Sequence, residues 1–131
     1  MRRIWLGLAL VSISTLTGQS SLAKLTICTP GPYIIFFKHG SSIEGENVGP
    51  ILDNVVPNHD GCPDARMVID GHIAAGEPEA LSMARAEMVW GYLVAKGIAR
   101  KQLYLRDLGS TEPRNNDPAI SARVRIYFEP P

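Results

Sequence analysis

The sequence predicts an α/β sandwich of order strand–helix–strand–helix–strand–strand, a four-stranded mixed sheet with two helices packed on one face. Three observations predict it. One long amphipathic helix spans Glu77 to Gly97 with both ends marked. A β-branched and aromatic run, Tyr33 to Phe37, reads as a buried strand. The chain closes on a clean alternation from Ala122 to Glu129, with Val124, Ile126 and Phe128 facing in and Arg123, Arg125 and Tyr127 facing out.

In the long helix, Pro78 suits the first turn, where its missing N–H would be unpaired anyway. Gly97 can take the left-handed conformation that closes a helix. Between them Ser82, Ala86, Val89, Trp90, Leu93 and Ile98 form a stripe suited to lie on a sheet. The first helix is weakly specified: Ile51, Leu52, Val55 and Val56 predict one short turn-rich helix from Pro50 to Val56, ended by Pro57. Asn58 to Gly61 reads as a turn. Arg66 to Gly71 is the second strand, Gln102 to Leu108 the third, and Gly109 to Pro118 a polar loop.

Met1, Arg2 and Arg3 precede an apolar run, Ile4 to Val11, and Ser21, Leu22 and Ala23 offer the small residues of a cleavage site. Residues 1–23 are therefore expected to be a secretory signal peptide, leaving residues 24–131 as one domain. The apolar run falls far short of the roughly 20 residues that a bilayer demands, so no transmembrane segment is expected in the mature chain. Without Arg2 and Arg3 the chain carries 11 basic against 13 acidic residues, with no basic block. That balance makes nucleic acid a poor partner on electrostatic grounds, and none is expected.

Cys28 and Cys62 are the two thiols of an exported chain. Each precedes a strand, and if those strands run parallel both cysteines lie at one end of the sheet. A disulfide is the favoured reading. The competing one is a metal site built on His59 and Cys62, with Cys28, His39 and His72 joining; no second paired motif supports it.

The helix also carries a family pattern. Leu81, Ser82, Arg85, Ala86, Val89, Tyr92, Leu93, Gly97 and Ile98 stand in the spacing L-S-x-x-R-A-x-x-V-x-x-Y-L-x-x-x-G-I. Ile69, Gly71 and His72 precede it in an I-x-G-H strand, and Ser121, Arg123, Val124 and Ile126 follow where an N-R-R-V-x-I motif would stand. The three together, in this order, resemble the OmpA-like domains, peptidoglycan-associating modules of outer-membrane proteins, lipoproteins and flagellar stators. The resemblance runs from about Tyr33 to Phe128.

It implies an exported module in the periplasm of a Gram-negative bacterium, associated with the outer membrane. The module would hold the diaminopimelate residue of the peptidoglycan stem without covalent chemistry. The family's helix arginine, here Arg85, would clamp the ligand carboxylate as a bidentate fork. The family's G-H-T-D aspartate, which takes the ammonium, is here Ala74. Binding is therefore expected to be weakened, with Arg85, Arg123, Gly71, His72 and Glu77 as the ligand-binding set. Glu77 is the nearest substitute for the lost acid; its other reading is a favourable charge at a helix N-terminus. Arg85 has a structural reading too, paired to a carboxylate such as Asp107. The alternative function is a degenerate fold serving as a periplasmic protein-interaction or structural module. Ser82, His72 and Asp70 come with no nucleophile elbow and no metal pair, so neither enzyme activity nor a cofactor or metal is expected.

Overall fold

The computed structural model describes residues 28–43, 45, 47–114 and 117–130. The signal peptide read over residues 1–23 lies outside them. Among the described residues the strands and α-helices follow in the order β1 (Tyr33–Phe36), α1 (Val48–Gly61), β2 (Arg66–His72), α2 (Ala80–Ala95), β3 (Leu103–Gly109), α3 (Pro118–Ser121) and β4 (Arg123–Glu129), with a 3-10 turn over Arg100–Gln102 before β3. The strands form one sheet in the order β1-β4-β2-β3. β2 and β3 run parallel, while β4 is antiparallel to both β1 and β2, so the sheet is mixed as expected.

The core lies where α1 and α2 meet the sheet. Leu52 and Val55 of α1 and Ala86, Val89 and Leu93 of α2 bury against Ile35, Met67, Ile69, Val124 and Ile126. Each strand residue in that set sits two positions from the next on its strand, the period of a pleated ladder. The stripe read from α2 is buried except at Trp90, which packs at the edge of the core. α2 closes as the sequence implies: Gly97 has φ 97°, its N–H donates to Val94 O, and Ile98 N–H donates to Leu93 O. This is a Schellman closure, and buried Ile98 supplies its apolar contact.

Four expectations need correction. α1 runs through Pro57 and takes in the stretch read as a turn. The ring is exposed, on the side of the helix away from buried Leu52 and Val55. β1 is an edge strand, not a strand buried on both faces; Phe36 is 48% exposed. The strand buried on both faces is β2, which keeps Val68, Asp70 and His72 from solvent. α2 begins at Ala80, not at Pro78, and its first turn lacks a side-chain cap. The polar loop ends in a short helix, α3, capped by Asp117 Oδ1 accepting from Ala119 N–H at 2.9 Å.

β1 and β2 are both antiparallel to the strand between them, so their N-terminal ends share one edge. Cys28 and Cys62 meet there in a disulfide, with Cα atoms 5.1 Å apart across a separation of 34 residues. The bridge uses both thiols and displaces the metal reading. No helix among the described residues is long and apolar enough to cross a membrane.

Candidate functional site

The site is built where β2 ends and α2 begins. Gly71 is required by the packing there. A Cβ at this position would lie 2.0 Å from the backbone oxygen of Ser82, so α2 can rest on β2 only over a glycine. Ser82 fixes the contact, with Oγ donating to Gly71 O at 2.8 Å and accepting from Gly109 N–H at 3.0 Å. Both capacities of that hydroxyl are thus spent on joining α2 to β2 and β3.

One turn further on, α2 aims Arg85 into the interior. Its Nε donates to Ser41 O at 2.8 Å, and Nη1 donates to His72 O and Glu77 Oε1, each at 3.1 Å. Nη2 donates to Lys38 O at 3.3 Å and to Glu77 Oε2. A guanidinium has five N–H donors, and here all five are taken. Its plane also sits over the Phe37 ring, 5.3 Å from the centroid.

Glu77 receives as fully as Arg85 gives. Oε1 also accepts from Ala74 N–H at 2.8 Å, and Oε2 from Gly40 N–H at 2.9 Å. The carboxylate therefore sits in a receptor of four donors: two arms of one fork and two backbone amides. Both side chains are 0% exposed. Burial raises the Glu77 carboxyl, but the hydrogen bonds from Arg85, Ala74 and Gly40 outweigh it and hold the group at about 2. The partner of Arg85 is thus Glu77, not Asp107, which lies exposed on β3. Glu77 lies outside α2 and folds back beneath the segment from Lys38 to Ser41. Ala74 and Arg85 lie within eight residues of it, but Gly40 is 37 residues away, and spacing alone could not have found that partner.

Beside this receptor, Ser41 and Lys38 also border a groove of about 780 Å³ between β1 and α1. Ile35, Phe36, Ile43 and Ile51 supply most of its apolar wall.

The structure divides the five residues expected to bind ligand. Arg85, Glu77 and the Gly71 backbone lie together on the helix side of the sheet. Gly71 faces α2, so its neighbour His72 turns its ring to the other face, where Arg123 and Arg125 also project. Arg123 is spent locally, Nη1 donating to Ser121 O at 3.3 Å and Nη2 to Glu112 O at 3.0 Å. Burial lowers its pKa, and the nearby Arg114 and Arg125 lower it further. The His72 ring is 0% exposed, and neither nitrogen has a partner among the described residues. Burial, reinforced by Arg123, pushes it down to about 4, so it is neutral at pH 7. Only its carbonyl joins the site.

That opposite face carries a second buried acid. Asp70 accepts from Arg106 Nε at 2.6 Å, Arg106 Nη2 at 2.9 Å and Arg125 Nη2 at 2.9 Å. Burial raises its pKa, but these bonds and charges prevail and lower it. Neither Asp70 nor His72 approaches Ser82 as a triad would require, because Ser82 lies on the other side of β2.

Fold and site together define a small α/β module whose helix arginine and two loop amides hold a carboxylate. A family model described as the OmpA family matches residues 36–126, and the chain belongs to that family. The peptidoglycan-binding protein ArfA of Mycobacterium tuberculosis is 32% identical over 107 residues. That match takes in 79% of this chain, which spans only 32% of the length of the relative. Among solved structures, the peptidoglycan-associated lipoprotein of Burkholderia pseudomallei superposes with a TM-score of 0.67 at 19% identity. It covers 74% of this chain and 90% of its own. The C-terminal domain of Helicobacter pylori MotB gives a TM-score of 0.66 at 19% identity, over 77% of this chain and 85% of its own. At such identities these likenesses speak for the fold.

Proposed function

We propose that this chain is an exported, non-catalytic module that associates with peptidoglycan through the carboxylate receptor at Arg85. The observation that carries the reading is the receptor itself. A guanidinium fork and two backbone amides converge on one carboxylate, the chemistry needed to hold a free carboxylate of a stem peptide such as that of diaminopimelate. Family membership and the relative named as peptidoglycan-binding support the same assignment. The signal peptide read over residues 1–23 and the Cys28–Cys62 bridge suit an oxidising envelope compartment, the periplasm if the host is Gram-negative. Of the expected ligand-binding residues, Arg85 is assigned the ligand carboxylate, Gly71 the seating of α2, and the His72 carbonyl the aim of the fork. Arg123 is assigned no direct contact.

A second reading has its own support: the receptor is already filled by Glu77, as it would be in a degenerate fold kept for protein–protein contact. Co-sedimentation of the purified mature chain with isolated sacculi tests the choice. The proposed function expects retention that weakens as salt is raised, because a charge-assisted contact carries it. A chain left wholly in the supernatant at low salt speaks for the second reading.

A further inference from the structure

We propose that Glu77 is a built-in competitor for the ligand: it occupies the carboxylate position of the Arg85 receptor, and a peptidoglycan carboxylate binds only by displacing it. This rests on the peptidoglycan reading above and adds what sets the affinity.

The geometry is that of a bound ligand. Glu77 contributes no turn to α2, and its carboxylate fills all four receptor donors from Arg85, Ala74 and Gly40. With all five N–H groups of Arg85 engaged, an incoming carboxylate finds no vacant donor on the fork. Exchange is nevertheless chemically balanced, since one carboxylate takes the four hydrogen bonds that another gives up. The path is short. The segment from Lys38 to Ser41 lies against the pair, through Lys38 O, Ser41 O and Gly40 N–H; it is exposed at Lys38, His39 and Gly40, and Lys38 and Ser41 border the groove. Gly40, at φ 73°, turns its N–H onto Glu77 Oε2, a conformation that glycine adopts without strain.

Exchange makes the apparent affinity equal to the intrinsic affinity multiplied by the fraction of molecules in which Glu77 has swung out. A carboxylate tethered a few residues from its site has a high effective concentration, so that fraction is small. Removing Glu77 should then raise affinity, the reverse of what removing a ligand-contacting acid would do.

The test uses the mature chain, Glu77→Ala and Glu77→Gln, each titrated with free meso-diaminopimelate and co-sedimented with sacculi. Glu77→Gln keeps the shape and loses the charge, so it carries the comparison if Glu77→Ala does not fold. The expected result is diaminopimelate affinity at least about tenfold above wild type, a change of about 1.4 kcal/mol. Acetate should compete and should raise the Tm of Glu77→Ala but not of wild type. In wild type, saturating diaminopimelate should move the carbon resonance of the Glu77 carboxyl; a resonance that stays fixed while ligand binds overturns the proposal. Equal retention of folded wild type and variants on sacculi, with no gain, overturns the competitor and leaves the peptidoglycan reading intact. Loss of binding in the variants assigns Glu77 a direct ligand contact, and also overturns it. Folded chains of which none binds sacculi or diaminopimelate overturn both.

Discussion

Three buried titratable groups, Glu77, Asp70 and His72, make this molecule sensitive to acid. Glu77 has a folded value of about 2 against an ordinary 4.5, so the stability it contributes is complete above pH 4.5 and is lost as pH falls toward 2. His72 has a folded value of about 4 against 6.5. Above pH 6.5 it is neutral in both states. Between 6.5 and 4 the unfolded chain takes up a proton that the folded chain refuses, so stability falls through that window too. The His72 limb is on the order of 2–3 kcal/mol. Thermal melts from pH 8 to pH 3 should show Tm dropping already below about 6.5. His72→Leu, which removes an imidazole with no hydrogen-bond partner among the described residues, should flatten the limb above pH 4.5 and leave the Glu77 limb in place. An unchanged profile in that variant would mean that other groups govern the upper limb.

At the scale of elements, the contact that positions the site is α2 lying on β2 across Gly71. The receptor depends on it, because Arg85 projects from α2 while the carbonyl of His72 and the amide of Ala74 belong to β2 and the turn after it. Gly71→Ala should push α2 away, since the nearest atom to the new methyl is backbone and cannot rotate aside. The expected cost is about 3 kcal/mol or more, the upper range of overpacking, measured by urea denaturation. The helix motif was legible in the sequence for this reason: Ser82, Ala86, Val89 and Leu93 face the sheet at helical spacing, and packing requires small or apolar side chains there. α1 was less legible. Its burial of Val48, Leu52 and Val55 outweighs the propensity of Pro57 to end a helix, and a single-residue rule cannot weigh that.

For the whole molecule, the bridge from Cys28 to Cys62 ties the lead into the edge strand to the end of α1. β1 contacts the rest of the sheet along one side only, so the bridge holds the least-paired strand. Closing a loop of this length should stabilise the fold by about 3–4 kcal/mol in the chain-entropy model. Denaturation with and without a thiol reductant should show that difference, and Cys28→Ala together with Cys62→Ala should reproduce it without reductant. A reduced chain as stable as the oxidised one would show that β1 is held by its pairing to β4 alone.

The sequence by itself determined the order of the four strands and two long helices, the mixed sheet and the family. Each is written in local periodicity or in a motif whose residues lie close along the chain. Arg85 was legible in the same way. Only the tertiary structure decided what Arg85 does, because its partners come from Lys38 and Ser41 on one side and His72 and Glu77 on the other. It also decided that His72 belongs to the opposite face, which follows from the pleat once Gly71 is fixed under α2; the outward place of Arg123 was already legible in the alternation of β4. Ala74 reads in the sequence as a lost carboxylate. In the fold its amide helps to hold another carboxylate, that of Glu77, in a receptor that three-dimensional proximity alone assembles.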